Sequence, residues 1–191
     1  MNTTTVVGLF DTYSNADAAV KALQDYGVDD DHISTVARAN DPIEPKSAGE
    51  KGAATGAVAG GLVGLMVGLS TLIIPDVGPV LATGTIASTL VATFGLTAAG
   101  ATLGATTGGL LGAFVDLGFG EKDAEFYAEG VKRGGIVVSV EANPGDEDNI
   151  SGILDRAGAV DMTTRRKIWL DEGWTSFDEE AELSDEDAYR R

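Results

Sequence analysis

The sequence predicts an α+β fold: a ferredoxin-like, split β-α-β sandwich interrupted by an inserted glycine-zipper α-helical hairpin. Three observations carry that expectation. Strand and helix patterns alternate as β-α-β units at both ends of the chain. The two units echo each other, since Leu23 and Gly27 followed by Val28 match Leu154 and Gly158 followed by Ala159. Between them, glycine recurs every fourth residue through a stretch almost free of charge.

Residues 1–40 hold the first half. Val6, Val7, Leu9 and Phe10 form a short apolar run of the kind a buried strand shows. Ser14 or Asn15 suits a helix N-cap. Ala16, Ala19, Val20 and Leu23 follow at helical spacing, and Gly27 is a helix stop. Ile33, Thr35 and Val36 suggest a second strand. Residues 41–50, with Pro42, Pro45 and several charges, read as a linker.

Residues 51–119 are the unusual part. Asp76 is the only ionisable side chain between Lys51 and Asp116. Gly52, Gly56, Gly60, Gly64 and Gly68 recur at intervals of four, and so do Gly100, Gly104, Gly108 and Gly112. Pro75, Asp76, Gly78 and Pro79 form a turn signal between the two series. The pattern predicts a helical hairpin, with a further break near Gly95. Positions four apart lie on nearly the same helix face, each displaced by about 40°. Glycine there opens a groove in which a second backbone can approach closely. Each helical glycine costs about 1 kcal/mol relative to alanine, so a repeated series implies compensation by close helix packing. These glycines are the candidate packing and assembly residues.

Three surroundings for such a hairpin stay open. It could lie in a bilayer, because residues 52–75 would span about 36 Å as a helix against a hydrocarbon core of about 30 Å. It could be a helical layer buried between subunits. It could be the interior of a single monomer.

Residues 120–170 hold a helix and the second half. Residues 121–133 place Ala124, Tyr127, Ala128 and Val131 on one helix face, ending at Gly134 and Gly135. Ile136, Val137, Val138 and Val140 read as a strand. Residues 146–157 read as a helix with Ile150, Ile153 and Leu154 apolar, stopped by Gly158. Residues 162–169 read as a last strand. Residues 171–191 are expected to form a strongly acidic, mobile tail. Trp169, Trp174 and Phe177 are expected to close over the chain's own core.

Composition narrows the function. The formal net charge of −17 disfavours nucleic acid, whose phosphates need Lys and Arg. It also disfavours unaided adhesion to an anionic membrane surface. No cysteine is present, which removes disulfides and thiolate chemistry. His32 is the sole histidine, so a His-based metal cage or triad is hard to build. Asp29, Asp30 and Asp31 beside it are adjacent rather than convergent and read as a polar turn. Gly118 and Gly120 make no dinucleotide fingerprint. No catalytic, metal or cofactor residues are assigned. The first residues carry no secretory pattern, so an intracellular place is expected, in the cytoplasm or at the cytoplasmic face of the inner membrane.

Val6-Val7-Gly8-Leu9-Phe10-Asp11, then Ala16-Asp17-Ala18-Ala19-Val20 and Leu23, resemble the start of the YflT-type general stress protein family, which includes heat-induced and low-temperature-induced members. Tyr127-Ala128-Glu129-Gly130-Val131-Lys132-Arg133-Gly134-Gly135-Ile136-Val137-Val138 resembles the second half of its longer members. The Ile74-Pro75-Asp76-Val77-Gly78-Pro79 turn inside a glycine-rich insert is similar too. The resemblance implies a bacterial or archaeal stress-response context and carries over no catalytic residues. The expectation is a non-enzymatic, stress-associated protein that self-assembles through its glycine faces, within a membrane or as a large soluble homo-oligomer. The competing expectation is a regulatory small-ligand module anchored by the hairpin.

Overall fold

The computed structural model describes residues 4–38, 70–74, 78–94 and 109–178. In chain order these form β1 (Thr4–Phe10), α1 (Tyr13–Tyr26), a short 3₁₀ turn (Asp30–His32), β2 (Ile33–Arg38), β3 (Ser70–Ile74) and β4 (Gly78–Ala82). There follow α2 (Gly84–Phe94), α3 (Gly109–Asp116), α4 (Glu121–Lys132), β5 (Ile136–Ala142), α5 (Glu147–Arg156) and α6 (Met162–Asp171). The fold class is mixed α+β.

The strands make one five-stranded sheet in the order β1-β5-β2-β4-β3, each neighbour antiparallel. β1 and β2, joined by α1, therefore run parallel with β5 between them, which is a split β-α-β unit. The ladder has a definite parity. Thr83 N–H donates to Thr35 O at 2.9 Å, so alternate β4 residues turn their backbone groups toward β2. Pro79 shares that direction, one residue beyond Arg38 opposite Val80, the last described pair of the two strands.

β5 shows why a nearly unbroken apolar run belongs in the middle. Ile136, Val137, Val138, Ser139 and Val140 are all buried, because helices cover both faces. On one face Phe10, Ile33, Val138 and Val140 meet Val20 and Leu23 of α1 and Ile150 and Leu154 of α5. On the other, Leu9, Val36, Val80 and Val137 meet Ile86 and Leu90 of α2, Phe114 of α3, Phe126 and Val131 of α4, and Trp169 of α6. The result is three layers, helix on sheet on helix.

The echo between the two halves is real in the backbone. α1 ends with Val28 N–H on Leu23 O and Gly27 N–H on Gln24 O, each 3.0 Å. α5 ends with Ala159 N–H on Leu154 O and Gly158 N–H on Asp155 O, also 3.0 Å. Gly27 and Gly158 take φ of 103° and 93°, the left-handed turn this paired closure demands.

Four expectations are corrected. The cap of α1 is Thr12, whose Oγ1 accepts from Asn15 N–H at 3.3 Å, rather than Ser14 or Asn15. The helical hairpin does not run through residues 70–82, since β3 and β4 are strands that extend the sheet from the free side of β2. The turn signal thus lies between two strands, with Gly78 and Pro79 opening β4. Residues 162–169 are helical, not a last strand, because Asp161 caps them and only Trp169 among them is buried. With that strand missing, the ferredoxin-like arrangement is incomplete. Its place beside β1 is taken by single contacts: Val160 N–H donates to Leu9 O at 2.8 Å and the Tyr127 hydroxyl to Val7 O at 3.3 Å. Finally, Trp174 and Phe177 pack against the core, so the folded body continues past residue 171 to Asp178.

Candidate functional site

A cluster of paired charges and rings forms where α4 ends, against α6 and the end of β1. Asp161 Oδ1 accepts from Thr164 N–H at 2.7 Å and starts α6. The Thr164 hydroxyl, then the Thr164 N–H, hold the Asp161 carboxyl below its ordinary value. One turn on, Arg165 forks onto Asp11, with Nη1 to Oδ1 at 2.8 Å and Nη2 to Oδ2 at 2.6 Å. Arg133, capping α4, donates from Nε to Glu129 at 2.6 Å and from Nη1 to Glu172 at 3.4 Å.

Trp169 sits between the two guanidinium groups. Its ring centre lies 5.0 Å from Arg133 and 6.0 Å from Arg165. It is 4% exposed and stacks 4.9 Å from Phe126. Arg166 ties the other side, donating to Lys122 O at 2.6 Å with its guanidinium 5.6 Å from the Phe126 ring. Close approach of α4 to β1 forms the floor: a β-carbon on Gly130 would stand 2.7 Å from Leu9 Cδ2. Tyr127 stays protonated, its hydroxyl pushed up by burial first and by Asp123 second, with Arg166 opposing.

This arrangement docks a helix. Arg133 and Arg165 face Asp11, Glu129 and Glu172, so an incoming anion would have to displace carboxylates already in place. Among the described residues no group of three or more His, Asp or Glu converges as a cation site would require. Asp30 of the 3₁₀ turn accepts from Gln24 at 2.7 Å and serves as a local tie. The clamp escaped the sequence reading, although three consecutive cations, Arg165, Arg166 and Lys167, in so acidic a chain were a signal.

The predicted packing residues are mostly elsewhere. Gly52, Gly56, Gly60, Gly64, Gly68, Gly100, Gly104 and Gly108 lie outside the described residues, as do Pro75 and Asp76. Gly112 is on α3, and a β-carbon there would meet nothing within 4 Å. Leu110, Ala113 and Phe114 of the same helix face the core, while Val115 is 42% exposed. Among the described residues no helix is long and apolar enough to cross a membrane.

Residues 5–77 match the family model described as the heat induced stress protein YflT domain. Over that stretch the chain is similar to the YflT domain. Among curated proteins and among solved structures, nothing matches. The YflT match supplies β1, α1, β2 and β3. It does not supply β5, the strand that joins β1 to β2 in the sheet. The YflT stretch is thus completed by residues far downstream of it. The match suggests a stress-associated role.

Proposed function

We propose that this is a non-enzymatic, stress-associated protein that self-assembles through its glycine-repeat segment as a soluble homo-oligomer. The observation that carries the reading is Gly112. Glycine in a helix costs about 1 kcal/mol relative to alanine and is tolerated where packing needs it. The packing of α3 on the described core makes no such demand at Gly112, where a side chain would meet open space. It stands at the end of a four-residue glycine series and beside exposed Val115. A partner surface outside the described core supplies the missing reason. Charge supports the same division: the repeat segment holds only Asp76 between Lys51 and Asp116, so copies can meet there despite a net charge of −17.

The ligand-module alternative would hold its ligand at a sheet face or a dimer seam, and helices pack on both faces of the sheet's described core. The lipid version of assembly is separated by experiment. Cells are lysed without detergent, membranes are removed, and the supernatant is sized with light scattering. A large soluble particle that shrinks in Gly60→Leu, Gly104→Leu and Gly112→Leu is expected. A clean monomer, or a particle unchanged in all three variants, overturns the reading. Retention on lipid after an alkaline wash replaces it with a bilayer role.

A further inference from the structure

Beyond α6 the chain turns back over the body. Gly173 takes a φ of 97°, and Trp174 N–H returns to Trp169 O at 2.8 Å. The two indole rings then sit 5.7 Å apart. Phe177 and Asp178 reach the last turn of α4, where Lys132 Nζ donates to the Asp178 carbonyl and lies 5.7 Å from the Phe177 ring centre. Arg38 braces this turn from β2, its Nη1 donating to Lys132 O at 2.8 Å.

Lys132 is only 2% exposed, which is unusual for a lysine. An ammonium group has three donors. Among the described residues, Lys132 Nζ meets one carbonyl and one ring face. Closing residues 172–178 over it strips a charge of water and returns little. The same closure buries Trp174 Nε1, which finds no acceptor among the described residues. Apolar packing of Trp174 and Phe177 and the Arg133–Glu172 contact at 3.4 Å hold the segment down, while two polar groups under-satisfied among the described residues favour lifting it.

We propose that residues 172–178 form a strap that opens and closes as a unit, with buried Lys132 setting its balance toward opening. Opening hydrates Lys132 and uncovers the edge of Trp169. It also moves Asp178, which the acidic residues 179–187 follow in sequence. The assembly reading is not needed for this inference.

Native-state hydrogen exchange of the full chain at fixed pH, read by mass spectrometry, tests it. In the wild type the Trp174 amide should exchange at least ten-fold faster than the β5 amides. Lys132→Met, which removes the charge but keeps the apolar stem, should slow strap exchange about ten-fold and leave β5 unchanged. Phe177→Ala should speed it about ten-fold. Equal exchange of strap and β5 in the wild type overturns the proposal without any variant. Faster or unchanged strap exchange in Lys132→Met also overturns it, since the ammonium would then be a latch or a bystander.

Discussion

Both methyl groups of Leu9 lie within 2.8 Å of where a β-carbon on Gly130 would stand. Leu9 is buried on β1 and Gly130 on α4, so helix and strand touch at a point with no spare volume. Helix propensity alone favours Gly130→Ala by about 1 kcal/mol. Overpacking opposes it by about 1–3 kcal/mol, because Leu9 must move both methyls while its Cγ stands 3.3 Å away. Gly130→Ala is expected to lower stability by about 1 kcal/mol in urea unfolding, the difference between the two, and Leu9→Val to recover part of that loss. A Gly130→Ala protein as stable as the wild type would mean the strand can retreat.

Gly84 makes a similar point with the backbone. Its φ is 64°, and a β-carbon would press on Ser34 Oγ and stand 2.7 Å from Ile33 O. The carbonyl belongs to a paired strand and cannot turn aside. Ser34 Oγ meanwhile accepts from Thr85 N–H at 2.8 Å, satisfying the start of α2 from a neighbouring strand. Gly84→Ala should cost about 2 kcal/mol or more from strain and overlap together. Ser34→Ala should cost about 1 kcal/mol by orphaning a helix-start amide. Thermal unfolding of the two single variants checks the order, and a milder effect for Gly84→Ala than for Ser34→Ala would contradict it.

The Asp11–Arg165 fork should be measurable through Trp169. Both side chains keep some solvent contact, 32% and 21%, so the pair is partly screened. Asp11→Asn is expected to cost about 1 kcal/mol, less at high salt, because one charged partner of a two-point bond is lost. Tryptophan fluorescence during denaturation should show α6 releasing earlier than in the wild type. Coincident release and no loss of stability would assign the docking of α6 to ring packing alone.

These particulars show what a single sequence could and could not reveal. The apolar run of β5 and the paired helix endings at Gly27 and Gly158 are local, and both were legible. The strands at 70–74 and 78–82 were not. Short apolar runs fit helix or strand equally, and the glycine spacing around them pointed to helix. What decides them is the free side of β2, a tertiary fact. α6 reads as a strand from sequence although Asp161 carries an N-cap signal, because the run from Thr163 to Lys167 has no apolar period. The Asp11–Arg165 pair joins residues 154 positions apart, beyond the reach of any spacing argument.

The cap of α6 ties this clamp to pH. Thr164 lowers the Asp161 carboxyl below its ordinary value through its hydroxyl first and its N–H second. A carboxyl lowered in the folded state adds stability that is fully present above its unfolded value, near pH 4. That stability is lost as pH falls through the lower, folded value. The start of α6 should therefore loosen below about pH 4, while the neutral range is flat for this group. Asp161→Asn keeps a capping oxygen and removes the titration. Following the Thr164 amide by NMR from pH 6 to pH 2 should show an acid step in the wild type and none in Asp161→Asn. The same step in both proteins would place the acid response elsewhere, with Glu147 the first group to examine, since its own N–H and then that of Gly145 lower it in the same sense.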